Sequence, residues 1–320
     1  MLSVWLYLSV PASIVPGGEG RHETMIERAD WRPQQRAASG ARHTLLFAVR
    51  ERNVGAMLTE TLLAVSDPES SRYGKHLTFD EVGALTSKPE ATSCVHAYLH
   101  AIGADLVSTT PHGEFVRASH TVATWERELD TQFHLYEHEV RGAIVRTREY
   151  TLPVALSECV TFIGYTSQLP AMTMPAMHAT PLTGKTKPGT VDPTLIKSFY
   201  NIDSFTASPS VTQSVFEAVG ANFSPADLAE WLGYYSFPSQ TVAIDIGGHN
   251  SSAECRTTMP ADCIEANLDL QYLMGTAQGA PTTYWYIAND TWPFMAWIEA
   301  VARDPTPATV HSLSYAEAGA

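Results

Sequence analysis

The first clear pattern along the chain begins at His43. HTLLFAVR is a compact apolar run and predicts a buried strand. Asn53–Val65 then sets Val54, Met57, Leu58, Leu62 and Val65 at helical spacing, and Ser66-Asp67-Pro68 stops that helix. Thr78 with Glu81 three residues on predicts a capping box and a helix starting at Phe79. Glu90–Ile102 is amphipathic and ends at Gly103. Ala104–Thr109 and Glu114–Ser119 read as two strands, Thr121 caps a helix through Leu129, and Phe133–His138 with Ala143–Thr147 reads as a closing hairpin around Arg141-Gly142. Strand, helix, strand, strand, helix, strand predicts an α+β, ferredoxin-like domain with an inserted helical segment over residues 43–168. The polar stretch before it, Glu19–Gly40, reads as a flexible leader.

At Leu169 the periodicity vanishes. LPAMTMPAMHATPLTGKTKPG is rich in Pro, Thr, Met and Gly and predicts a linker over 169–190, with Lys185 and Lys187 as candidate cleavage points. Beyond it, helical and strand patterns alternate. Pro193–Tyr200 is helical, and Ser224-Pro225 opens a helix to Gly233 with Ser224 as N-cap. Thr241–Ile246 is a strand, Cys263–Met274 a helix, Pro281–Ile287 an extended aromatic segment, Pro293–Val301 a helix and Thr309–Leu313 a strand. This alternation predicts an α/β domain with a parallel sheet over 191–320. After Tyr315 no closing element follows, so the sheet is expected to be truncated, with an exposed edge.

Composition adds a compartment and removes some partners. With 34 acidic against 20 basic side chains the formal charge is −14 and the pI near 5.2, which disfavours nucleic acid and anionic membrane as partners. The charge is uneven: from Val191 onward there are 14 acidic residues but only Lys197, Arg256 and Arg303 as bases. Two halves of unlike charge suit docking on each other, and equally suit two solvated surfaces. Met1–Val15 is apolar with small residues after it, resembling a secretory segment over 1–20 that lacks a basic start. No apolar run is long enough for a membrane span. Asn222, Asn250 and Asn289 head glycosylation sequons, and Cys255 and Cys263 bracket a loop short enough for a disulfide. Metal-binding spacings such as H-E-x-x-H are absent, so no metal ligand is assigned.

Candidate chemistry lies in IEANLDLQYLMG, residues 264–275. Glu265 and Asp269 are four apart and so share a helix face. Two carboxyls that close repel when both are ionised; one keeps its proton to higher pH, and the pair can act as a base in acid. Ile264, Leu268, Leu270 and Leu273 form the opposite face, expected to bury against the sheet. The same spacing also occurs on ordinary solvated helix faces. No phosphate loop or G-x-S-x-G elbow is present.

IEANLDLQYLMG followed by GAPTTYWY closely resembles the segment around the catalytic Glu and Asp of the sedolisin family, serine-carboxyl peptidases that include tripeptidyl-peptidase I and kumamolisin. SVFEAVGANFSPADLAEWL and PFMAWIEAVARDPTPATVHSLSY resemble the flanking family sequence. VSDPESSRYGKHLTFDEVGAL and REYTLPVALSECVTFIGY resemble its propeptide. The resemblance implies a ferredoxin-like propeptide that docks on its own subtilisin-like peptidase domain, peptide or protein substrates, and a secreted or lysosomal (vacuolar) location. It implies Glu265 as general base and Asp269 as the acid that orients it. The family's Ser-Gly-Thr nucleophile motif and its Ser-Gly-Asp-Ser-Gly-like oxyanion segment do not occur here, and its calcium site lies beyond Ala320 in full-length relatives. The polypeptide by itself is therefore expected not to cleave peptides. The alternative is a non-catalytic inhibitor or folding chaperone of a full-length relative.

Overall fold

The structure is a computed structural model that describes residues 22–52, 55–139, 141–170, 191–208, 210–257, 260–288 and 292–315. The chain divides into two compact units, one of residues up to Pro170 together with Ile298–Pro305, the other of Ala171–Trp297 with Thr306–Gly319. The secretory segment, Lys185, Lys187 and most of the linker fall outside the described residues.

Among the described residues the first unit begins with β1 (His22–Thr24), β2 (Arg32–Arg36) and β3 (Arg42–Val49), then α1 (Gly55–Ser66), α2 (Phe79–Thr86) and α3 (Pro89–Ala101). It continues through β4 (Asp105–Thr109), β5 (Phe115–Thr121), α4 (Val122–Glu128), β6 (Phe133–His138), β7 (Gly142–Thr147), β8 (Glu149–Thr151) and β9 (Val160–Gly164). The main sheet is antiparallel in the order β4-β5-β3-β9. Its centre is β3, whose Leu45, Leu46 and Phe47 are wholly buried, as an unbroken apolar run requires. Trp125 of α4 packs beneath it, 5.9 Å from the Phe47 ring, and donates its indole N–H to the His43 carbonyl. The capping box at Thr78–Glu81 is formed, and Thr121 caps α4. A disulfide joins Cys94 of α3 to Cys159 just before β9.

Two expectations need correction. The β6–β7 hairpin does not close the main sheet. It pairs with β2 in a separate three-stranded sheet, and β9 takes the closing position beside β3. Periodicity cannot choose between strands of equal length; β9 wins because Ile163 and Val160 bury completely against β3. Nor is Glu19–Gly40 simply a leader. Its described part holds β1 and β2, and Trp31 between them is buried, its N–H donated to the Pro170 carbonyl.

From residue 191 on the described elements are α5 (Pro193–Phe199), β10 (Gln213–Glu217), α6 (Pro225–Tyr234), β11 (Ile244–Ile246), α7 (Ser252–Thr257), α8 (Ile264–Thr276), β12 (Thr282–Tyr286), α9 (Pro293–Arg303) and β13 (Val310–Leu313), all in the second unit except the part of α9 from Ile298 on. Four parallel strands run in the order β11-β12-β10-β13. Val215, Tyr284 and Tyr286 turn one face of the sheet to Leu228, Trp231 and Leu232 of α6 and to Ala266, Leu270 and Met274 of α8. Phe216 and Trp285 turn the other face to α9, where Phe294 stacks 5.1 Å from Phe216 and Trp297 packs edge-on.

This arrangement fixes the hand of the crossovers. The connection through α6 runs one way along the sheet and that through α8 runs back, yet both helices lie on the same face, so their hands are opposite. The α9 connection runs in the direction of α8 but on the other face, and so shares the hand of α6. Right-handed connections make up about 98% of such units. The odd one, β11–α8–β12, is therefore the left-handed crossover. Gly275 makes the close approach of α8 to α6 possible, since a Cβ there would lie 2.5 Å from the Trp231 ring.

Candidate active site

In an open parallel sheet, chemistry gathers beyond the carboxyl ends of the strands. There β10 ends on Glu217, a charged residue closing a strand that is buried throughout. Strand alternation puts Val215 and Glu217 on the face covered by α8. The Glu217 carboxyl is fully buried and accepts the Tyr315 hydroxyl at 2.6 Å, while its other oxygen has no hydrogen-bond partner. Burial holds Glu217 well above the usual carboxylate range, assisted by the charges of Asp269 and Glu265 and opposed by the bond from Tyr315.

Glu265 and Asp269 project from α8 toward the same region. Glu265 is 3% exposed, and one oxygen of each carboxyl is buried without a partner. Asp269 is pushed up to about 7, first by burial and then by the Glu265 charge, against a hydrogen bond from the Ser314 side chain. The expected burial pattern of this helix is corrected. Its buried residues are Glu265, Ala266, Leu270, Met274 and Gly275, whereas Leu268 is exposed. The carboxyls thus lie on the sheet-facing side with the apolar residues instead of opposite them. Three carboxyls from β10 and α8 come together, and the residues after β13 supply hydroxyls to two of them.

Sequence reasoning missed Glu217, Ser314 and Tyr315 as members of this group. A signal existed: in QSVFEAV a single Glu interrupts an apolar run that can only be a buried strand. Among the described residues no cluster of His, Cys, Asp and Glu is arranged to hold a metal ion.

The remaining candidates are scattered. Cys255 and Cys263 are bonded to each other, at the end of α7 and the start of α8. Asn222 is 5% exposed, with its amide donating to Glu254 at 2.7 Å. Asn250 is exposed beside Asp245, and Asn289 lies outside the described residues.

The family model that matches is the activation domain of pro-kumamolisin, over residues 29–169. Tripeptidyl-peptidase 1 of Bos taurus is 28% identical over 298 residues, covering 86% of this chain and 50% of that protein. The protein of the same name from Canis lupus familiaris is 27% identical over 311 residues, covering 90% and 52%. That from Homo sapiens is 28% identical over 294 residues, covering 86% and 50%. The chain thus spans about half the length of the curated relatives it matches, and the matched length extends well past the activation domain into the unit that holds the carboxyl group.

Proposed function

We propose that the second unit is part of an acid-acting serine-carboxyl peptidase of the sedolisin family, with Glu265 as general base and Asp269 as the residue that orients it. The observation that carries this reading is the carboxyl pair, Glu265 buried and Asp269 half-buried, each with one buried oxygen left unpartnered. Native proteins satisfy almost all buried polar atoms, so such oxygens mark capacity held for another group. A base needs one oxygen for the incoming hydroxyl proton and a neighbour to hold it in place. Asp269, which keeps its proton up to about 7, can hold Glu265 by a hydrogen bond in acid, and a carboxyl, unlike imidazole, does not become a cation there. The order β11-β12-β10-β13 with its odd-handed α8 connection supports a subtilisin-like plan. The order β4-β5-β3-β9 supports a ferredoxin-like plan for the activation domain, which we read as docking on its peptidase domain. Two disulfides and the exposed Asn250 sequon suit a secretory route to an extracellular or lysosomal site.

Titration followed by 13C-carboxyl NMR tests the pair. An Asp269 midpoint near 7 that falls in Glu265→Gln, while burial keeps it above the ordinary range, is the expected result. An Asp269 midpoint in the ordinary range, unmoved by Glu265→Gln, would sink the assignment. A serine nucleophile and an oxyanion-hole aspartate complete such a site, and neither motif occurs in these 320 residues. The chain is accordingly expected to leave a tripeptide amide intact at about pH 4; release of tripeptide would refute this.

A second reading is favoured by the match over residues 29–169, which makes the chain suited to inhibit or assist the folding of a full-length relative. Mixing it with an active relative and finding no change in rate disposes of that role.

A further inference from the structure

The helix that carries the carboxyl pair begins without a side-chain cap. Cys263 occupies the N-cap of α8 and makes no capping hydrogen bond, whereas Ser224, Asp192, Thr121 and Thr78 cap α6, α5, α4 and α2. An uncapped first turn frays, because its orphan N–H groups gain nothing from staying helical. Here the fraying turn would be the one that holds Glu265, while Asp269 lies one turn deeper.

Other bonds hold that turn. The Cys255–Cys263 disulfide ties it to α7. Two residues after Glu265, Asn267 accepts the Ser224 backbone N–H through Oδ1 at 2.8 Å and reaches Asp227 of α6 with Nδ2 at 3.5 Å. Asp227 in turn accepts both Nε and a terminal nitrogen of Arg256, at 3.2 and 2.9 Å, and Arg256 follows Cys255 on α7. The circuit is closed: α8 to α7 through sulfur, α7 to α6 through Arg256 and Asp227, and α6 back to α8 through Asn267. The Asn222 amide on Glu254 anchors α7 from the β10 side.

We propose that the Cys255–Cys263 disulfide and Asn267 are positioning residues that fix the Glu265 carboxyl against Asp269. This rests on reading those two carboxyls as a working pair. It makes the pair dependent on an oxidising compartment, since reduction frees the first turn of α8 and lets water reach both groups.

The test uses the full 320-residue chain and follows Asp269 by 13C-carboxyl NMR. The variants are Cys255→Ala/Cys263→Ala, Asn267→Ala and, as a control in the other unit, Cys94→Ala/Cys159→Ala. The first is expected to lower the Asp269 midpoint by about one pH unit, and Asn267→Ala by about half of that, with far-UV circular dichroism retained. The control is expected to leave the midpoint alone. An unchanged midpoint in the first two variants, or an equal fall in the control, overturns the proposal. If Cys255→Ala/Cys263→Ala does not fold, Asn267→Ala decides. Should Asp269 titrate as an ordinary carboxylate in the parent chain, the peptidase reading fails by itself. The positioning claim is then judged by amide exchange at Glu265, Ala266 and Asn267, where unchanged protection in both variants rejects it.

Discussion

Each unit of the chain contains two neighbouring carboxyls, and they are treated differently. In the first unit Glu51 is pushed up to about 7 by burial and by the charge of Glu114. Glu114 is itself buried but satisfied, accepting the Thr110 hydroxyl at 2.6 Å. In the second unit Asp269 is pushed to a similar value by the same two causes, but oxygens of Asp269, Glu265 and Glu217 are all left without partners. Perturbed titration alone therefore does not separate a structural pair from a reactive one. Hydrogen-bond satisfaction does: neither carboxyl of the first pair has a buried oxygen left without a partner, whereas both carboxyls of the second do.

The comparison can be broken by experiment. Its largest expected effect is Asp269→Asn. A folded midpoint near 7, above the unfolded value of 3.8, means a contribution fully present below about pH 4 and lost as pH rises through 7. The amide removes that loss, so the variant should be stabilised by about 2–4 kcal/mol at pH 7 and scarcely at pH 4 in urea unfolding of the second unit. Glu51→Gln should do the same for the first unit, by about 1–2 kcal/mol once solvent screening is included, between pH 4.5 and 7. Equal curves for parent and variant across that range would show that the two pairs carry no strain. The smallest effect is expected from Thr110→Val, which leaves Glu114 unpartnered and should cost about 1 kcal/mol. It should also make the first pair resemble the second, so a neutral result would contradict the distinction drawn from satisfaction.

How much of this was legible depends on the range of the interaction. Local signals were readable: the Thr78–Glu81 box, the Thr121, Ser224 and Pro193 helix starts, and the positive-φ stop at Gly103 all depend on residues within a turn of one another. Choices between distant partners were not. The hairpin and β9 compete for one place beside β3, and only packing against Phe47 and Leu46 decides between them. At the site, the spacing of Glu265 and Asp269 was plain, but which face of α8 turns inward was misjudged. Of Ile264, Leu268, Leu270 and Leu273, Leu270 is buried and Leu273 packs on the core as expected, but Leu268 is exposed and Glu265 is buried in its stead. Glu217 itself stayed hidden because its hydrogen-bond partner, Tyr315, lies 98 residues on.

That distance has a temporal side. Strand β10 is central in its sheet, yet Gln213 pairs with Thr282 and Ser214 with His311, 69 and 97 residues further along. A ribosome adding roughly 5–20 residues each second leaves this strand, with Phe216 and Val215 bare, for on the order of ten seconds before either neighbour exists. The main sheet of the first unit, whose central strand finds β5 much sooner, is complete by then. For that interval the strand at the heart of the second sheet has no partner of its own to pair with.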